Sequence, residues 1–137
     1  MAIEKDVQEE RDRVDELMVR MAQGRLVIGT ATMLVPGLVV KVMGFGNGTD
    51  PGRDVVARML ASREIALGAG YLLSKGPSRK LWARLGLVVD SFDAIAGLKS
   101  RSTKGAKVPL WAAAGFTAIA AGASMVGAAK VAKDIRR

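Results

Sequence analysis

The sequence predicts an all-α protein: a polytopic membrane bundle of four helices preceded by an amphipathic cytoplasmic helix. Residues 108–129 contain no charged side chain. As a helix this run would rise about 33 Å, which matches a bilayer core of about 30 Å. Three further apolar segments precede it, and Lys and Arg cluster beside these segments, as in multi-span membrane proteins. The alternative is a soluble helical bundle, which rarely needs so long an uncharged run.

Composition limits the chemistry. The 137 residues divide into a charged region, 1–24, and a mostly apolar region, 25–137, that would form the membrane domain. The chain has no His and no Cys, so imidazole and thiolate ligands, disulfides and His general bases are excluded. We therefore predict no enzymatic activity, no cofactor and no metal. The net charge of +8 predicts contact with anionic lipid headgroups rather than nucleic acid, because three Phe, two Trp and one Tyr leave few rings for stacking on bases.

The first predicted element is the amphipathic helix, within residues 3–22. Its apolar positions follow a heptad seam that Glu10 interrupts, and they are Ile3, Val7, Val14, Leu17 and Met21. We expect this helix to lie on the protein's own cytoplasmic face. The alternative is a docking helix for a partner.

The four predicted spans follow at about 26–45, 55–73, 81–98 and 108–129. Pro36-Gly37 falls within the first span and predicts a kink. Trp111 is placed to anchor the last span at an interface. Basic residues at both termini and in the second connection predict that both termini are cytoplasmic, in a plasma membrane. The third connection, with Lys99, Arg101, Lys104 and Lys107, opposes this orientation. Two spans joined by a surface hairpin at 55–98 therefore remain as an alternative topology.

The middle spans carry charges that membrane insertion disfavours: Arg63, Glu64, Asp90 and Asp93. Counting from the connection at Pro77 places Arg63 and Asp90 at similar depth on antiparallel neighbours, which predicts an Arg63–Asp90 pair. Such charges either lock the helices in register, or their carboxylates carry a proton or bind a cationic headgroup. A second basic set is predicted to reach lipid headgroups, and it consists of Arg58, Lys75, Arg79, Lys80 and Arg84.

The last span contains a stripe of small residues, Gly115, Ala118, Gly122 and Ala129. Small residues let helix backbones approach closely. We expect this stripe to pack against another helix, either within the bundle or in a partner that is a second copy or another membrane subunit.

Several short motifs resemble a known group of proteins. The motifs are Pro36, Gly44-Phe-Gly46, Arg58, Arg63-Glu-Ile-Ala-Leu-Gly68 and Asp90-Ser-Phe-Asp93-Ala. Over about residues 25–100 they are similar to those of uncharacterised small four-helix membrane proteins of actinobacteria, which are distantly DoxX-like. The resemblance implies a four-span bundle and little chemistry, and it leaves out the charged N-terminal helix.

The features together predict a small, non-catalytic accessory or scaffold subunit of a larger membrane complex. The alternative function is a proton-coupled or small-molecule transporter that uses the intramembrane carboxylates. An enzyme acting on lipid is the least supported class, because its chemistry would have to use carboxylates and Arg alone.

Overall fold

A computed structural model describes residues 1–46, 49–102 and 110–136, without the side chains at 100–102, 110, 113 and 116. These residues form five helices in the order α1 (Ala2–Leu34), α2 (Pro36–Val42), α3 (Pro51–Leu73), α4 (Gly76–Ser102) and α5 (Leu110–Ile135). No strand occurs within these ranges. The all-α prediction is therefore confirmed for the described part of the chain.

The long helix α1 contains both the predicted amphipathic helix and the beginning of the first predicted span. The boundary expected after residue 24 lies inside this continuous helix. The helix ends at Leu34 because Pro36 lacks an N–H and restricts the residue before it. The chain then turns by 119° into α2, which begins at Pro36. The predicted kink is thus a sharp break, and residues 26–45 do not form one helix.

Local signals set the starts of α3 and α4. The Asp50 side chain caps α3 by accepting a 3.0 Å hydrogen bond from the Arg53 backbone N–H, and Pro51 occupies the first turn. The α3–α4 connection is short, and Gly76 takes a φ of 55° that favours glycine there. The predicted second and third spans, 55–73 and 81–98, lie within these two helices.

The four long helices pack as antiparallel neighbours. α1 packs mainly on α3 and α4 packs mainly on α5, with smaller contacts joining α1 to α5 and α3 to α4. A cluster of Met18, Ala22, Tyr71 and Ala83 lies where the four helices meet. The termini and the α3–α4 connection therefore lie at one end of the bundle, and the turn after α2 lies at the other.

The helices of this bundle meet the requirements for crossing a bilayer only in part. Over the described ranges, no individual helix combines the length with the apolar, weakly charged composition that crossing a bilayer requires. The bent pair α1–α2 satisfies those criteria when its two helices are taken together. The first two residues of the predicted last span, Val108 and Pro109, lie outside the described residues, as do Lys104, Lys107 and the Arg101 side chain.

Candidate functional site

Two glycines bring α1 and α3 into close contact at the level of the candidate site. A Cβ atom on Gly68 would lie 2.6 Å from the Ala22 carbonyl oxygen, and one on Gly29 would lie 2.8 Å from Ile65 Cγ1. Both distances are too short for any side chain, so glycine is required for this approach. Glu64 lies one turn before Gly68, and the close contact brings its carboxylate within reach of α1.

Arg25 of α1 is the centre of the site. Its Nη1 donates to Glu64 Oε2 at 2.5 Å, and its Nη2 donates to both carboxylate oxygens of Asp90 at 2.5 Å. One guanidinium therefore joins three helices, because Glu64 lies on α3 and Asp90 on α4. Charge-assisted bonds of this kind are stronger than bonds between neutral groups.

Arg63 extends the site on the other side of Glu64. It forms a bidentate pair with Asp93, from Nη1 to Oδ1 at 3.0 Å and from Nη2 to Oδ2 at 2.7 Å. Its Nη2 also donates to Glu64 Oε1 at 3.3 Å. The five side chains thus form a continuous chain, which we call the charge network: Asp90, Arg25, Glu64, Arg63 and Asp93.

The charge network runs from the interior of the bundle to the half-buried pair of Arg63 and Asp93, whose side chains are 31% and 19% exposed. The side chains of Arg25 and Asp90 are 10% and 5% exposed, and Glu64 is 20% exposed. Three carboxylates face two guanidiniums, so the network carries a net charge of −1 when all five groups are ionised. Ion pairs removed from water are weak evidence for stability, since desolvation offsets their attraction.

The four residues predicted for this cluster are brought together, but the predicted pairing is wrong. Arg63 pairs with Asp93, whereas Asp90 pairs with Arg25. Arg25 directly precedes the first apolar run, and the sequence alone did not single it out. One signal could have identified it: with Arg58 and Arg84 assigned to lipid headgroups, three carboxylates in the middle spans face Arg63 alone and call for another cation.

A small cavity lies beside Arg25, between it and Tyr71. Its volume is about 20 Å³, and its lining includes Leu67, Trp82 and Gly86. This is room for one water molecule. The network therefore borders a space that one water molecule could occupy next to Arg25.

A second group of charges joins α1 to the end of α5. Asp15 of α1 contacts Lys130 Nζ at 3.0 Å and accepts a hydrogen bond from Lys133, and Lys130 also pairs with Asp134 at 3.0 Å. Burial alone would raise the pKa of Asp15, but the hydrogen bonds from the two lysines outweigh it and lower that pKa. For Lys130, burial lowers the pKa, and the bonds to Asp134 and Asp15 outweigh it and raise the pKa.

Two of the basic residues predicted to reach headgroups are used within the fold. Arg79 caps the end of α3 by donating to the carbonyl oxygens of Tyr71 and Ser74 at 3.2 and 2.9 Å, and its guanidinium lies 5.1 Å from the Tyr71 ring centre. Arg58 Nε donates to the Met33 carbonyl oxygen at 3.2 Å, in the last turn of α1.

The other three residues of that set, Lys75, Lys80 and Arg84, lie at or near the α3–α4 connection. Lys75 and Arg84 are exposed and Lys80 is half-buried. Their contact with lipid headgroups stays a prediction.

The two glycines of the small-residue stripe of α5 have open space around them. Gly115, Ala118, Gly122 and Ala129 are exposed, and a Cβ atom on Gly115 or Gly122 would meet nothing within 4 Å. Gly127, which the stripe did not include, instead packs against Leu87 of α4. At Gly115 and Gly122 the structure shows no packing within the described bundle, and packing against a partner stays a prediction.

No family model, curated protein or solved structure shows significant similarity to this chain. The resemblance to small actinobacterial membrane proteins therefore stays a prediction that rests on the quoted motifs. Over the described ranges, the acidic side chains do not form a cluster suited to a metal ion.

Proposed function

We propose that this chain is a small integral protein of the plasma membrane that acts as a non-catalytic accessory or scaffold subunit of a larger membrane complex. The proposal rests on one observation, the distribution of polarity between the inside and the outside of the bundle.

The outer surface of the bundle is rich in large apolar side chains. They occur on every long helix, and examples are Val27, Met59, Phe92 and Ile119, each at least 67% exposed. The buried apolar positions are mostly small, such as Ala22, Ala61, Ala83 and Ala112. Among the described residues no large side chain is completely buried.

The charge network occupies the interior that large apolar side chains would fill in a protein surrounded by water. Apolar groups outside and paired charges inside are the arrangement that a bilayer favours, because lipid solvates the surface and leaves charges to find partners within the bundle. The uncharged run at 108–129, which the described residues cover only in part, adds support.

The topology can be tested by labelling, since the chain has no natural cysteine. We expect the Thr49→Cys variant to react with an impermeant maleimide from outside intact cells. The Ala2→Cys and Ile135→Cys variants should react only after lysis, and the chain should resist carbonate extraction. Labelling of all three in intact cells, or release by carbonate, would contradict the membrane topology.

The accessory role is supported by the absence of His and Cys and by the exposed seam of α1. Ile3 and Leu17 are 79% and 50% exposed although they belong to the heptad seam. Purification in mild detergent should recover a stoichiometric partner, and an Ile3→Gln/Leu17→Gln variant should lose it. A chain recovered only as a monomer would count against the role.

A transporter is the second candidate, favoured by the charge excess of the network. A net charge of −1 inside the bundle would be neutralised by one proton or one monovalent cation, and the cavity beside Arg25 lies next to it. An Asp90→Asn/Asp93→Asn variant reconstituted in liposomes should then lose proton or cation flux while it keeps its helical content. Unchanged flux would eliminate this candidate.

A further inference from the structure

A groove of about 250 Å³ opens between α1 and α5 at the end of the bundle that carries both termini. Its apolar lining consists of Val7 and Val14 from α1 and of Ala129 and Ala132 from α5. The short alanine side chains leave the space that forms the groove. This surface is separate from the charge network, which lies nearer the middle of the bundle.

Basic side chains border the same groove. Arg11, Lys133 and Arg136 line it, together with Glu10. Lys133 is engaged, because its Nζ donates to Asp15 and to the Arg11 carbonyl oxygen. Within the described part of the chain, the guanidiniums of Arg11 and Arg136 have no side-chain partner. Two cationic groups are therefore available to a ligand.

The polarity of the groove changes along its length. Ala129 is the last residue of the uncharged run, and Lys130 follows it directly. Because α1 and α5 are antiparallel, Val14 lies near the level of Ala129, while Arg11 and Arg136 lie farther towards the termini. The inner end, at Val14 and Ala129, is thus apolar, and the outer part carries the two arginines beside Val7 and Glu10.

We propose that this groove binds one anionic phospholipid of the cytoplasmic leaflet. Arg11 and Arg136 hold its phosphate, and the first part of an acyl chain lies on Val14 and Ala129. Glu10 disfavours further negative charge, so a singly charged headgroup such as that of phosphatidylglycerol fits best. The inference rests on the proposed membrane location, since it needs the end of the uncharged run to lie at the interface.

The test is a titration of phosphatidylglycerol into the full chain, delipidated in mild detergent, with bound lipid counted by native mass spectrometry. We expect one saturable site that prefers phosphatidylglycerol over phosphatidylcholine. An Arg11→Gln/Arg136→Gln variant should bind about 30-fold more weakly, since each basic residue near an anionic surface contributes about 1 kcal/mol.

The matched control is Lys5→Gln/Arg13→Gln, which removes two exposed positive charges of α1 that do not line the groove. It should change the affinity less than twofold. Equal losses in both variants, no preference between the lipids, or a groove-dependent dimer of the chain would each overturn the inference. If the chain resists carbonate extraction and one of these results is obtained, only the lipid site is refuted. If carbonate releases the chain from the membrane, the membrane location and the lipid site are both refuted.

Discussion

Removing Arg25 should destabilise the bundle more than removing any exposed arginine. The Arg25→Met change keeps an unbranched side chain of similar length but deletes three charge-assisted hydrogen bonds to Glu64 and Asp90. The net charge of the network changes from −1 to −2. Asp90, whose side chain is 5% exposed, would lose the partner that the structure gives it.

The size of this effect follows from burial. Breaking a buried ion pair by removing one partner costs about 3–5 kcal/mol, because the remaining charge stays desolvated. Both groups of the Arg25–Asp90 pair are at least nine-tenths buried, so this range applies without a correction for solvent screening. The Arg20–Glu16 pair is the control, since its side chains are 71% and 60% exposed and such pairs contribute about 0–1 kcal/mol.

The assay is equilibrium unfolding of the purified chain in mixed micelles, followed by far-UV circular dichroism. We expect Arg25→Met to lower the free energy of unfolding by about 3–5 kcal/mol and Arg20→Met to change it by less than about 1 kcal/mol. An Arg25→Met/Asp90→Asn double variant should be more stable than Arg25→Met alone, because it no longer buries an unpaired Asp90 charge. Equal effects of the two single variants, or strictly additive losses in the double variant, would refute the reasoning.

Two further predictions concern the contacts of α1. Gly68→Ala should lower the free energy of unfolding by about 1–3 kcal/mol, because the new methyl group would meet the Ala22 carbonyl oxygen at 2.6 Å. Gly122→Ala is its control, since a Cβ atom there meets nothing within 4 Å, and a comparable loss in both variants would contradict the packing argument. The lowered pKa of Asp15 means that its carboxylate stabilises the fold fully above its ordinary pKa of 3.8, and that this stability is lost as the pH falls through the lower pKa of the folded state. The free energy of unfolding, measured from pH 6 to pH 2, should therefore be lower for Asp15→Asn than for the natural chain at pH 6. The two values should converge in acid. A difference in stability that does not depend on pH would argue against the hydrogen bond from Lys133.

Helix positions were largely accessible from the sequence, because they depend on local chemistry. Apolar segments separated by Gly and Pro predicted the positions of three of the long helices, whose observed ends differ from the predicted ones by up to six residues. Pro36 predicted an interruption, since proline removes a donor wherever it lies. Its consequence, a turn of 119° rather than a kink, depends on how the following residues pack and could not be derived from the local sequence.

Four of the five members of the charge network were accessible to the same reasoning. Charged groups in otherwise apolar segments must find partners, so Arg63, Glu64, Asp90 and Asp93 were identified without a structure. The depth of each group was also accessible, because a helix rises by about 1.5 Å per residue.

The sequence by itself determined an all-α chain, its apolar segments and the charges that must lie together. Only the tertiary structure decided which charges pair. Pairing depends on the rotation of each helix about its axis, and that rotation is set by side-chain packing between helices. The close approach of α1 and α3 at Gly68 brings Arg25 between Glu64 and Asp90 and leaves Asp93 for Arg63.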